Sequence, residues 1–147
     1  MEHNSVSGSG REGGSVEGEI VLRPDLDAAI DFLRRVRPDG PWTLTAIEPD
    51  GPGIDTATFD PDTADKAFAW LGARSGRMNL YWMVNPAMRP LSKKASKEDV
   101  AEFAMLHVDI DPKKGEDPAA ARAAAIARLD AFKPEPSIVI DSGGGVQ

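Results

Sequence analysis

The order of apolar and helix-forming stretches between residues 103 and 140 constrains this chain more than any other feature. Residues 103–110 (Phe-Ala-Met-Leu-His-Val-Asp-Ile) form a largely apolar run. Asp117-Pro118 follows, an N-cap residue beside a proline, and opens an alanine-rich stretch that reaches about residue 132. Arg122, Ala125, Ile126 and Leu129 fall along one side of it. Pro134 and Pro136 stop that helix, and residues 137–140 (Ser-Ile-Val-Ile) make a second apolar run. Strand, helix and strand in this order predict a βαβ unit, and with it an α/β or α+β sheet as the frame.

Upstream, residues 25–36 read as a helix. Leu26, Ile30 and Leu33 recur at helical spacing, Pro24 precedes them, and Arg34, Arg35 and Arg37 crowd the C-terminal end. Asp39-Gly40-Pro41 breaks the chain. Residues 42–47 (Trp-Thr-Leu-Thr-Ala-Ile) alternate as a strand does, and residues 49–53 form a turn-rich loop. Asp60-Pro61 marks another helix start, followed by an apolar stripe of Ala64, Ala67, Phe68 and Leu71 that ends by Gly72 to Gly76. Residues 78–84 are almost wholly apolar and predict a central strand covered on both faces. Asn85-Pro86 closes it, and residues 87–94 make a basic loop. Ser96 predicts the cap of a short helix through Phe103, with Asp99 in the capping-box position. Residues 1–18 are rich in Gly, Ser and Glu and read as a disordered arm; residues 19–22 read as a short strand or an entry segment.

Composition narrows the classes of function. The chain has 147 residues, 41% hydrophobic and 28% charged, which fits about one globular domain. No apolar run approaches the ~18–20 residues of a membrane span, so no membrane partner is expected. Cysteine is absent, which removes disulfides, thiolate zinc sites and cysteine nucleophiles and fits a cytoplasmic location. His3 and His107 are the only histidines, which excludes a histidine-rich metal site. A net charge of −7 argues against coating nucleic acid by bulk charge. The charge is segregated, however. Between residues 38 and 65 the charged side chains are all acidic, from Asp39 to Asp65; between residues 66 and 97 they are all basic, from Lys66 through Arg89, Lys93 and Lys94 to Lys97. Such a stretch is either a solvated surface or a polyanion contact.

Two motifs carry chemistry. The first is Asp109-Ile110-Asp111, closing the first apolar run. On a strand, Leu106, Val108 and Ile110 would point one way and His107, Asp109 and Asp111 the other. Two carboxylates so placed can bridge a pair of divalent ions, which sit ~3.5–4 Å apart in two-metal sites. Mg²⁺ favours one or two carboxylates plus substrate phosphates, so the pair suits a nucleotide-bound ion. The other reading is two acids at a strand's polar end. The second motif is Ser142-Gly143-Gly144-Gly145-Val146-Gln147 after the second apolar run. A glycine turn lets backbone N–H groups approach a phosphate, and the Ser hydroxyl adds a donor; the other reading is a plain hairpin turn.

Together, at this spacing, the two motifs resemble the archaeo-eukaryotic primase superfamily, in particular the primase-polymerase domains of phage and plasmid replication proteins. The first family motif is an apolar strand ending in D-x-D, here Val108-Asp109-Ile110-Asp111; the second is a Ser in a glycine-rich setting followed by a polar residue that contacts the triphosphate. Residues 79–86 (Asn-Leu-Tyr-Trp-Met-Val-Asn-Pro) and the Lys/Ser loop after them also look like the segment that precedes the acidic motif. The likeness covers roughly residues 60–147. Gln147 stands where the family usually has His: it can donate to a phosphate but cannot act as an acid.

The resemblance implies an α+β fold, with an N-terminal α/β module followed by the first βαβ of an RNA-recognition-motif-like catalytic half. Residues 19–147 would then be an incomplete primase-polymerase-like catalytic domain, because the family's third acidic residue, on a later strand, is not in this sequence. The implied activity is template-directed nucleotidyl transfer. Asp109 and Asp111 would be catalytic and would hold Mg²⁺ or Mn²⁺. Ser142, Gly143, Gly145 and Gln147 would bind the incoming nucleoside triphosphate. Arg89, Lys93 and Lys94 would contact nucleic-acid phosphates, with Lys113 and Lys114 next. The implied partners are a DNA template, nucleoside triphosphates and a replicative helicase. Nucleotide-sugar transferases also use D-x-D, but not with this glycine motif and basic segment; haloacid-dehalogenase-type enzymes need a different residue after Pro112. The remaining alternative is a non-catalytic nucleic-acid or replisome binding module.

Overall fold

The computed structural model describes residues 24–141 and 145–147. The expected arm and the short strand at residues 19–22 lie outside them.

Helix α1 (Leu26–Val36) starts where the sequence places it: the Asp25 carboxylate accepts from the Ala28 N–H at 2.9 Å, and Ile30 and Leu33 are buried. Gly40, at φ 65°, turns the chain after it. A Cβ there would lie 2.9 Å from Pro61 Cδ, so the position requires glycine on two grounds. Strand β1 (Trp42–Ile47) is followed by β2 (Ile54–Phe59), and the two pair antiparallel from Trp42 with Phe59 to Ile47 with Ile54. A 3₁₀ turn at Pro61–Thr63 leads into α2 (Ala64–Gly72), with Asp60 and Thr63 forming a capping box. Strand β3 (Asn79–Trp82) pairs antiparallel with the other side of β1, so the order is β2-β1-β3.

One face of this sheet and the two helices enclose the core. Trp42, Leu44 and Phe59 pack with Ile30, Leu33, Ala64, Ala67 and Leu71. Trp82 meets Phe32 edge-on at 5.2 Å between ring centroids, and Phe59 meets Trp70 at 6.1 Å. Arg74 lies 4.1 Å over the Trp70 ring and pairs with Asp55. Arg37 ties α1 to the end of β3 by donating to the Val84 carbonyl at 2.9 Å. This layer contains a mixed helix-and-strand fold, as expected. The strand expected at residues 78–84 is corrected in one respect: β3 borders the sheet, and Tyr81 is 52% exposed, so it is not covered on both faces. Strand β2 was not foreseen; its Ile-Asp-Thr-Ala-Thr-Phe sequence sits in the acidic stretch and gains its identity by pairing with β1.

The other face of the sheet is crossed by residues 86–101. Their ends are joined by an antiparallel bridge between Ala87 and Val100 and by the Ala101 N–H donating to the Pro86 carbonyl at 2.8 Å. The expected helix from Ser96 to Phe103 is only a 3₁₀ turn, Lys97–Asp99, though its Ser96/Asp99 capping box forms as foreseen.

Beyond Ala101 the chain changes character. Residues 103–110 are not a strand: Phe103 is 85% exposed, Leu106 95% and Val108 64%, and only Ile110 forms a bridge. No layer of the described structure covers their apolar side chains. Helix α3 (Pro118–Asp130) forms as its alanines and its cap predict, with the Asp117 carboxylate accepting from the Ala120 N–H at 2.8 Å, yet only Ala125 is buried along it. The expected strand at residues 137–140 reduces to paired bonds at its end, Ile140 and Gln147 exchanging N–H···O contacts of 2.7 and 2.9 Å.

Candidate functional site

Short as these bridges are, they bring the two sequence motifs together. Ile110 and Val146 exchange backbone hydrogen bonds of 2.9 and 3.1 Å, and Val146 also bridges Asp141. Both bridges are antiparallel, so Val146 stands between two segments that run parallel to each other and are joined through α3. Val146 is fully buried at this junction.

The acidic motif therefore lies directly against the glycine motif. A Cβ on Gly145 would meet Asp111 Oδ1 at 2.5 Å and the Ile110 carbonyl at 2.8 Å, so any side chain there would push the two segments apart. Asp111 and Gly145 line one wall of a cavity of about 400 Å³, within the size range of ligand pockets. Helix α3 forms the other wall, where Ala121 and Ala125 leave room and Arg122 and Arg128 supply positive charge. Acids at its rim are engaged locally: Glu116 accepts from the Lys113 N–H at 3.0 Å, and Asp117 caps α3. Arg122 also pairs with Asp141 at 3.4 Å. Neither arginine stands out as a site residue in the sequence, although Arg122 falls along the same side of the helix as Ala125, Ile126 and Leu129; a cation among alanines is the available signal.

Asp109 is exposed and does not line this cavity, since the chain at that point is not held in a strand whose pleat would align it with Asp111. Gln147 is half-buried and holds Ile140 through its backbone. Ser142 and Gly143 lie outside the described residues. Among the described residues no group of three potential His, Asp or Glu ligands gathers. Asp111, on the wall of a cavity lined by Lys113, Arg122 and Arg128 as well as Glu116 and Asp117, offers one carboxylate to a hydrated Mg²⁺ or Mn²⁺ shared with phosphates, not a full protein cage.

The basic residues form a separate feature. Arg89 donates to Asp99 at 3.2 Å, while Lys93 and Lys94 are exposed. Asp99 organises the loop. Its carboxylate accepts from the Ser96 N–H at 3.0 Å and the Ser96 hydroxyl at 2.9 Å, and its side chain is only 7% exposed. The Ser96 hydrogen bonds, backbone first, hold its pKa below the ordinary aspartate value, with smaller help from Arg89 and Lys93.

No helix among the described residues is long and apolar enough to cross a membrane. No family model, curated protein or solved structure matches the chain.

Proposed function

We propose that this chain serves template-directed nucleotidyl transfer of the primase-polymerase type, in phage or plasmid replication in the cytoplasm. The observation that carries this reading is the junction at Ile110 and Val146, which sets Asp111 against Gly145 on the wall of a cavity that Arg122 and Arg128 also line. The pairing order supports it too. Two parallel segments joined by a helix, with a third, antiparallel segment between them, have the topology of a split βαβ, the opening of an RNA-recognition-motif-like half.

In this reading Asp109 and Asp111 hold Mg²⁺ or Mn²⁺. When bound, the ions offset charge on the transferred phosphate and lower the pKa of the attacking hydroxyl. Arg122 and Arg128 face the cavity and hold the triphosphate of an incoming nucleotide. Gly145 lets the phosphate-binding turn pack on the acidic segment without a side chain between them. Ser142, Gly143 and Gln147 complete the nucleotide contacts, and a replicative helicase is the partner that would deliver template.

Isothermal titration of Mn²⁺ with a deoxynucleoside triphosphate tests this. Binding should be lost in Asp109→Ala/Asp111→Ala and weakened in Arg122→Ala/Arg128→Ala. Absence of binding in a folded wild-type chain would overturn the reading. The alternative, a non-catalytic nucleic-acid or replisome binding module, is favoured by the pinned basic loop and would bind nucleic acid without nucleotide or metal.

A further inference from the structure

We propose that Asp99 is a positioning residue that holds Arg89 as a fork for phosphate, so that Arg89, Lys93 and Lys94 form one contact for the backbone of a nucleic-acid strand. The proposal rests on the nucleic-acid part of the reading above and deepens it; it needs neither carboxylate of the acidic motif.

The loop that carries these residues is closed at its base. Ala87 and Val100 bridge, the Met88 N–H donates to the Asp99 carbonyl at 2.9 Å, and the Ala101 N–H donates to the Pro86 carbonyl at 2.8 Å. Its middle is anchored at Leu91, which is buried and whose N–H donates to Thr58 Oγ1 at 2.9 Å. Arg89 and Asp99 therefore stand on facing arms of a tied loop. The Asp99 side chain is 7% exposed and the Arg89 side chain 65%. A carboxylate so nearly buried needs partners, and Asp99 has them at both oxygens. Oδ2 accepts from the Ser96 N–H and hydroxyl, and Oδ1 accepts from Arg89 Nη2 at 3.2 Å.

Only one guanidinium nitrogen is engaged in that bond. Arg89 Nε and Nη1 meet no acceptor among the described residues. A planar guanidinium fixed at one nitrogen presents its other donors in a set direction, and such a fork takes two oxygens of a phosphate. Lys93 belongs to the same group: after the Ser96 bonds and Arg89, its charge also helps to hold the Asp99 carboxyl below the ordinary aspartate range.

Charge names the occupant. Both acids of the loop are already paired, Asp99 with Arg89 and Glu98 with Lys97 at 3.7 Å. Lys93 and Lys94 are exposed and in no ion pair with a described residue. Cations this open to water hold one phosphate weakly. A strand that releases counterions at each of several contacts is bound well by the same cations. The loop thus suits a run of backbone phosphates and not a lone nucleotide.

The test is fluorescence anisotropy of a labelled oligothymidylate with the whole chain, at low salt and in EDTA, with circular dichroism to show that each variant is folded. Nucleotide and metal are absent, so failure here and failure of the nucleotide titration are separate results. Wild type should bind. Arg89→Ala should weaken binding and flatten its salt dependence by about 0.7 in log–log slope, and Lys93→Ala/Lys94→Ala by about 1.4. Asp99→Asn gives the decisive sign. It removes a negative charge beside cations, so Coulomb attraction alone would tighten binding to a polyanion. Loss of the tie to Arg89 should instead weaken binding severalfold. Added to Arg89→Ala, the same change should cost nothing further, because Asp99 acts through Arg89. Tighter binding by Asp99→Asn, an equal loss with and without Arg89, or no binding by the folded wild type would each overturn the proposal.

Discussion

Residues 25–100 and residues 101–147 are built from similar materials and reach different ends. Both hold a well-capped helix and apolar runs of strand-like composition. In the first region the runs find partners: β1 has a neighbour on each side, and α1 and α2 cover one face. In the second, α3 stands with one buried residue, and the apolar residues near Phe103 face solvent. The difference shows that a helix with good caps can form on local terms, whereas a strand exists only as a pair. It also shows where chemistry can be placed without a core. The acidic and glycine motifs meet through bridges at Ile110, Val146 and Asp141, with the close approach of Gly145 between them.

The largest expected contrast is in hydrogen exchange. Amides of β1 should exchange only with global unfolding, with protection on the order of 10³ or more. Those of residues 103–108, apart from Met105 whose N–H donates to Asn85 Oδ1, should exchange near the unfolded rate. Comparable protection in both would break the comparison. Next in size is a pair of truncations followed by urea denaturation. Leu44→Ala, at 3% exposure, should cost about 3 kcal/mol, and Leu106→Ala, at 95%, less than about 0.5 kcal/mol.

Gly145→Ala sharpens the comparison from the other side. The added methyl collides with Asp111 and the Ile110 carbonyl, so it should open the local junction at a cost of about 1–3 kcal/mol. It should abolish nucleotide binding while leaving the main urea transition in place, because the sheet core contains none of these residues. The smallest effect belongs to Asp99. Its folded pKa lies below its unfolded value, so its stabilisation is complete above the ordinary aspartate range and is lost as pH falls through the lowered folded pKa. Melting temperature from pH 6 to pH 2 should therefore fall more steeply in wild type than in Asp99→Asn across that acid window.

Much of the site was legible in local chemistry. The D-x-D and the serine-glycine run announce themselves by residue type, and their adjacency follows from strand–helix–strand order. Arg122 and Arg128 were not legible as cavity residues, since which side of α3 faces Asp111 depends on the Ile110–Val146 pairing. Nor was the role of Asp99 as the tie for Arg89, although its capping box was read directly.

The sequence by itself determined the elements whose signals are local. Asp25, Asp60 and Asp117 start helical turns, the glycines and prolines end them, and the alternation of Trp42 to Ile47 marks β1. These interactions span a few residues, so a short window contains all the partners. Only the tertiary structure decided that residues 54–59 are a strand, that β3 is an edge and that residues 103–108 pair with no strand, held only where the Met105 N–H donates to Asn85 Oδ1. Strand identity depends on hydrogen bonds and side-chain cover from distant parts of the chain, and no apolar run carries its own partner.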